Sequence, residues 1–309
     1  MFSQQSRTAP VPVALFAYRR PEQLPRTLAC LRDTGVEQLY VFSDGPADED
    51  AVDDVERVRE MVSSLEWIEP VTIARTENLG LSESIRSGLD QLFEGHDRVI
   101  VVEDDVCVAP EFYDYACRAL AHYADAERVA GITGLRYPFD TRALDRYPFD
   151  VFLSPRFSSW SWATWKERWR GFSFDLELLR REIAAGAFRP QRAGADMPGM
   201  VDGAVLAGTL GGSWDVVCAT NMLLHGQYFV TPAWNMVENT GLWSGTHFSA
   251  PPVWELRWEP ERRPPDGRIR FAPEQESETV LRDYLRFFKP SRTQAVRDRV
   301  SIATKRLAR

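Results

Sequence analysis

The sequence of 309 residues is poor in cysteine and histidine, with four of each. Cys30, Cys107, Cys117 and Cys218 are scattered without a CxxC pair, and the histidines are dispersed. This spacing excludes a zinc ribbon or a His-rich metal site, and the cysteines read as reduced, mostly buried thiols rather than a disulfide framework. No apolar run approaches the roughly eighteen residues that cross a bilayer. Residues 1–12 lack the apolar core of a signal peptide, so the expected location is cytoplasmic. Neither GxGxxG nor GxxxxGK[ST] occurs, which removes support for a dinucleotide-binding turn or a P-loop. Excess positive charge is also missing: the formal net charge is −8, which argues against nucleic acid as a partner.

What is present is a globular composition, 44% hydrophobic and 27% charged, in a chain long enough for one large domain or two modest ones. The charge is uneven. Residues 276–309 hold nine Lys/Arg against four Asp/Glu, leaving 28 against 41 elsewhere. A basic end on an acidic body is either a solvated helix, the favoured reading, or a peripheral contact with an anionic surface such as lipid headgroups.

The first 134 residues alternate between two patterns. Apolar runs at Val11–Phe16, Leu39–Phe42, Val71–Ala74, Arg98–Val102 and Ala130–Thr133 predict strands. Between them, Leu24, Leu28 and Leu31, an acid-opened stretch from Asp48 to Leu65, the series Leu81, Ile85, Leu89 and Leu92, and the residues after Pro110 have helical spacing. Such alternation builds parallel βαβ units. After Gly134 the alternation ends, and nine of the ten tryptophans fall between Trp160 and Trp258. Indole faces suit sugar rings, but most of these tryptophans are expected in the core, with one or two lining a pocket. Glu255 to Glu274 is rich in proline and charge and reads as a linker.

The most informative stretch is Val99-Ile100-Val101-Val102-Glu103-Asp104-Asp105. A strand buried on both faces runs directly into three carboxylates, which places them at the carboxyl edge of a sheet, where open α/β folds bind ligands. A hard divalent ion would relieve their repulsion and could hold a diphosphate; a solvated acidic loop is the plain alternative. The first strand runs into Arg19 and Arg20 beside a helix start that favours anions. The second ends at Asp44 in Ser43-Asp44-Gly45-Pro46, either a base or ribose contact or ordinary turn chemistry. Asp215, next to Trp214, is a candidate general base or a helix cap. His247 lies in Gly245-Thr246-His247-Phe248, and a lone histidine is more often not a ligand.

Together these motifs resemble the nucleotide-sugar glycosyltransferases of the GT-A fold, family 2 and the animal N-acetylglucosaminyltransferase that starts complex N-glycans. The likeness runs over most of residues 11–250 and is most specific at Val101 to Phe112. It implies an α/β, Rossmann-like GT-A fold with a mainly parallel central sheet, helices on both faces and an acceptor-binding C-terminal half. Residues 1–134 would form the nucleotide-sugar half, 135–260 the acceptor and catalytic half of the same domain, and 261–309 a linker and basic helical tail. It implies Mn2+ or Mg2+ on Asp105, with Glu103 and Asp104 at the ribose and the metal's water shell. Arg20 (or its neighbour Arg19) and Asp44 would recognise the base. Ser84 stands in place of a family histidine that contacts the base, and Arg86 is in the same helix. Trp162, in Phe157 to Trp165, would line the donor sugar and acceptor pocket. Asp215 would be the catalytic base, and His247 would belong to a loop closing over the diphosphate.

The resulting expectation is an inverting transfer from a nucleotide-diphosphate sugar, UDP-sugar favoured, to a saccharide or glycoconjugate hydroxyl. Two alternatives are a sugar-1-phosphate nucleotidyltransferase, disfavoured because Tyr18-Arg19-Arg20-Pro21-Glu22 has no glycine to wrap a triphosphate, and a non-catalytic carbohydrate-binding protein using the tryptophans.

Overall fold

The computed structural model describes residues 10–186, 188–207, 213–241 and 267–288. An eight-stranded sheet forms the centre, with the order β3-β2-β1-β4-β8-β6-β9-β7. Its first strands in sequence are β1 (Val13–Ala17), β2 (Leu39–Ser43), β3 (Val71–Ala74) and β4 (Arg98–Glu103). They pair in parallel, β3 with β2, β2 with β1 and β1 with β4. The crossovers are α1 (Leu24–Asp33), α2 (Val52–Ser63) and α3 (Gly80–Gly95). These elements fall where the apolar periodicity predicts them.

Strand periodicity separates the two faces of the sheet. Val13, Leu15, Ile100 and Val102 join one buried cluster with residues of α1, α2 and α4 (Phe112–His122). Ala14, Phe16, Val99 and Val101 join a second with α3 and α8 (Trp214–Leu224). Both faces of β1 and β4 are therefore buried under helices, which is why these strands are apolar at every position rather than alternating.

The parallel run stops at β4. The fifth predicted strand, β6 (Val129–Thr133), does not lie beside it, because β8 (Trp162–Trp165) inserts antiparallel to both. Beyond β6 come β9 (Tyr228–Pro232), parallel to β6, and β7 (Val151–Ser154), antiparallel to β9. The sheet is thus mixed, with four parallel pairings of seven. Trp162 and Trp165 are strand residues, and Trp162, Trp165, Trp169, Trp214 and Trp234 are all buried in the core.

Two expectations change. Cys30 on α1 and Cys107 on β5 (Val106–Val108) form a disulfide with Cα atoms 5.7 Å apart, so they are not free thiols; Cys117 and Cys218 are. Neither the scatter of four cysteines nor their separation of 77 residues reveals this pairing, because α1 and β5 meet only through the tertiary fold. Closing a loop of this length contributes about 2–4 kcal/mol. Reduction, or Cys30→Ser, should lower the urea midpoint accordingly; an unchanged midpoint would show that the bond contributes nothing.

The second change concerns 267–288. This segment, expected as part of a linker and basic helical tail, packs on the body. Arg270 pairs bidentately with Asp150, and Tyr123 donates its hydroxyl to the Ala272 carbonyl. The helix α9 (Glu278–Arg286) buries Val280, Leu281 and Tyr284 against Phe139 and Phe152. Residues 289–309, most of the basic tail, lie outside the described residues. No helix among the described residues is long and apolar enough to cross a membrane.

Candidate functional site

A cavity of about 420 Å³ opens at the carboxyl ends of β1, β2 and β4. Its walls include Tyr18, Arg19, Asp44, Leu81, Ser84 and Glu103. The volume lies within the range of sites that enclose one small organic ligand.

The acidic turn after β4 is held from several sides. Asp104 Oδ2 accepts from the Tyr18 amide at 2.9 Å, Asp104 Oδ1 accepts from Arg20 Nη1 at 2.9 Å, and the Asp104 carbonyl accepts from Thr27 Oγ1 at 2.9 Å. Asp104 thereby ties the ends of β1 and β4 to α1. Asp105 Oδ2 lies 2.7 Å from the same Arg20 nitrogen. Its other oxygen, Oδ1, is buried without a hydrogen-bond partner. Burial pushes the Asp105 carboxyl up to about 6 against the pull of Arg20, with Asp104 adding repulsion. Glu103 is raised well above the carboxylate range by burial, then by Asp105 and Asp104. The charge of Asp215 makes a smaller contribution to the same shift, so the α8 carboxylate lies within electrostatic range of Glu103.

Asp44 is 4% exposed and spans the start of α3, accepting from the amides of Leu79 at 3.0 Å and Gly80 at 2.9 Å. Gly80 has φ +74, a conformation that favours glycine. Ser84 accepts a hydrogen bond from Arg75, whose guanidinium also reaches Ser87 Oγ at 2.8 Å. Arg75 is a residue the sequence reading missed. Its guanidinium lies between Ser84 and Asp44, 4.0 Å from Asp44 Oδ1.

Asp215 sits in the first turn of α8, in a separate small pocket of about 60 Å³ with Arg156, Ser158 and Met197 on its walls. Burial raises its carboxyl above the usual range, while the Val216 amide and Arg156 pull the other way. Arg156 is itself locked by a bidentate pair with Asp196, at 2.9 and 2.8 Å, and by stacking on Phe288 at 3.6 Å. Nothing in the motifs singled out Arg156 or Asp196, since their partnership spans forty residues.

Of the predicted site residues, Arg20, Asp44, Ser84, Glu103 and Asp104 meet around the larger cavity, with Asp105 immediately beyond Arg20. Asp215 lies in the smaller pocket. Arg86 is elsewhere: it pairs with Glu83 at 2.8 Å and lies over the Phe174 ring at 4.7 Å, on a separate open cleft. Trp162 is 1% exposed and packs against Phe157, Trp169 and Trp214 rather than lining a cavity. His247 lies outside the described residues.

A further wall was not foreseen. Thr240 donates through its amide at 2.7 Å and its hydroxyl at 3.0 Å to the Asp105 carbonyl, carried there by β10 (Val237–Asn239), which pairs antiparallel with β5. Gly241 then presses on the acid: a Cβ there would fall 2.1 Å from Asp105 Oδ2. Gly241→Ala must push Asp105 or its own backbone aside, at a cost of about 1–3 kcal/mol. A urea midpoint equal to that of the natural chain would contradict this contact.

Comparison with known protein families and with curated proteins finds no match for the chain. Among solved structures it is similar to the mannosyltransferase PcManGT from Pyrobaculum calidifontis in complex with GDP-Man and Mn2+. The TM-score is 0.42 at 16% identity, over 73% of this chain and 55% of that one. It is also similar to S. aureus TarS 1–349, with TM-score 0.42 and 9% identity over 75% and 60%. A structure of TarS 1–349 in complex with UDP-GlcNAc matches over 40% of this chain, with TM-score 0.28 and 15% identity. The chain therefore spans little more than half the length of the first two. At TM-scores below 0.5 these likenesses assign no residue here.

Proposed function

We propose that the chain is an inverting glycosyltransferase that uses a nucleotide-diphosphate sugar, a UDP-sugar by preference, and passes the sugar to an acceptor hydroxyl. The observation that carries this reading is the juxtaposition of two sites. A nucleotide-sized cavity is lined by Glu103 and Asp104, with Asp105 just beyond Arg20, and a buried carboxylate from a different helix, Asp215, lies within electrostatic range of Glu103.

The base and ribose would lie against Asp44, Leu81 and Ser84. Both oxygens of Asp44 already accept amide hydrogens, so any contact to a base would use their remaining lone pairs. Arg19 is exposed at the cavity wall and has no described partner, whereas Arg20 is engaged by two acids. This difference leaves Arg19 available as the first contact for a donor phosphate, whereas the resemblance puts Arg20, or its neighbour Arg19, at the base.

Mn2+ or Mg2+ suits Asp105. Ions that serve diphosphates use one or two carboxylates and take their other ligands from phosphate and water, so a three-residue cage, which the described residues do not contain, is not required. The buried, unpartnered Asp105 Oδ1 is the oxygen such an ion would use. When bound, the ion would stabilise the negative charge of the departing diphosphate.

The chain's own part is proton transfer and positioning. The acceptor oxygen attacks the anomeric carbon as its bond to the diphosphate oxygen breaks, and the hydroxyl proton passes to Asp215. A carboxylate raised by burial is a better proton acceptor than an ordinary surface aspartate. Attack on the face opposite the leaving group inverts the anomeric centre.

Five of the described tryptophans are buried and offer no indole platform to the carbohydrate-binding alternative, while Trp67 and Trp160 are half-buried. The acceptor is proposed as a saccharide or glycoconjugate, and contact of the basic tail with a membrane remains a proposal resting on its charge. A screen of UDP-, GDP- and dTDP-sugars with Mn2+ tests the reading: slow release of one nucleoside diphosphate is expected. Release of pyrophosphate from a nucleoside triphosphate would favour the nucleotidyltransferase instead.

A further inference from the structure

Building on that reading of the site, we propose that Arg20 is a resident counter-cation of the acidic turn, one that the divalent ion displaces from Asp105 and that then serves the donor diphosphate. Metal and donor would thus load as a unit.

Three observations lead here. First, one guanidinium nitrogen serves both acids: Nη1 is 2.9 Å from Asp104 Oδ1 and 2.7 Å from Asp105 Oδ2. The two carboxylate side chains are 4% and 7% exposed, while that of Arg20 is 30% exposed on the cavity wall. Arg20 is therefore the solvent-facing member of an otherwise sealed cluster. Nε and Nη2 keep their N–H groups for another anion, and a guanidinium binds phosphate oxygens with two parallel hydrogen bonds.

Second, the two acids are not equivalent. Asp104 is fixed on both oxygens and through its carbonyl. Asp105 holds Arg20 by one oxygen and leaves the other buried and unpartnered. A cation reaching Oδ1 would have the Arg20 charge as its nearest like-charged neighbour. Two positive charges cannot share one carboxylate at contact distance without a large repulsion. With Asp104 keeping one contact, Arg20 can leave Asp105 and remain attached to the turn.

Third, the space around Asp105 Oδ2 is closed by Gly241, so Arg20 and the ion cannot both gain room by moving the acid. The arrangement assigns Arg20 opposite effects on two ligands: it opposes the free metal ion and helps the nucleotide.

The test is Mn2+ binding to the full chain, followed by electron paramagnetic resonance, with and without UDP. Without UDP, Arg20→Gln should bind Mn2+ about tenfold or more tightly than the natural chain. At saturating Mn2+ it should bind UDP about tenfold more weakly. A residue that merely holds the turn in shape would weaken both. Arg20→Gln leaves buried carboxylates without a partner, so Arg20→Lys provides a second variant. Its ammonium keeps the charge but is shorter and lacks the planar fork, so a smaller change with the same opposed signs is expected. Unchanged or weaker Mn2+ binding in a folded variant overturns the role of Arg20. If Asp105→Asn leaves Mn2+ and UDP binding as they were, the reading of the site itself fails, whatever the Arg20 variants do.

Discussion

Asp215→Asn should retain the donor and lose turnover by about 10²–10⁴-fold, the usual contribution of a general base. Asparagine matches aspartate in shape, and its amide oxygen can still accept from the Val216 amide, the contact that fixes the carboxylate at 2.9 Å. The change therefore removes the proton acceptor and little else. The pH profile supplies a second readout. Burial raises Asp215, so the acid limb of kcat should lie above the ordinary aspartate value of about 4, and it should vanish in the variant. Donor affinity within a factor of about two of the natural chain, measured by calorimetry, would separate lost chemistry from lost binding. Near-natural turnover in the variant would remove Asp215 from the reaction.

Asp105→Ala should have an effect of similar size through the other half of the site. It deletes the buried oxygen that lacks a partner and one anchor of Arg20. Loss of the ion's support for the leaving diphosphate should lower kcat/KM by about 10²–10³-fold, and Mn2+ should no longer strengthen UDP binding. The effect on stability should be small or of opposite sign. An acid whose folded pKa is raised, here to about 6, contributes stability at low pH that is lost as pH rises through that value. Near neutral pH the ionised, crowded Asp105 opposes folding, and its removal relieves the repulsion with Asp104. A large fall in the melting temperature, with activity falling only in proportion to the folded fraction, would make Asp105 a structural residue.

The parallel half of the fold is legible because each of its strands and helices carries its own period. The runs 39–42, 71–74 and 98–102 match β2, β3 and β4 within a residue at each end. The acidic turn is legible for a related reason: three carboxylates after a fully apolar strand have few places to go. The antiparallel half is harder. Trp162–Trp165 is a four-residue strand with bulky aromatics at both ends, and its insertion between β4 and β6 depends on pairing with β4 residues more than sixty positions away and β6 residues about thirty away.

Partnerships between distant residues account for the rest. Cys30 with Cys107, Arg156 with Asp196 and Gly241 against Asp105 leave no local pattern. Trp162 shows the converse: an indole in a suggestive motif is held in the core by Phe157, Trp169 and Trp214. Arg86 lies one helical face away from Ser84, enough to place it on a different cleft.

The most direct test of the account is a crystal structure of the chain with UDP and Mn2+. The account predicts the ion on the Asp105 carboxylate and the diphosphate, with the uracil in the cavity bounded by Asp44, Leu81 and Ser84. A nucleotide bound at another surface, with residues 103–105 touching neither it nor a cation, would contradict it.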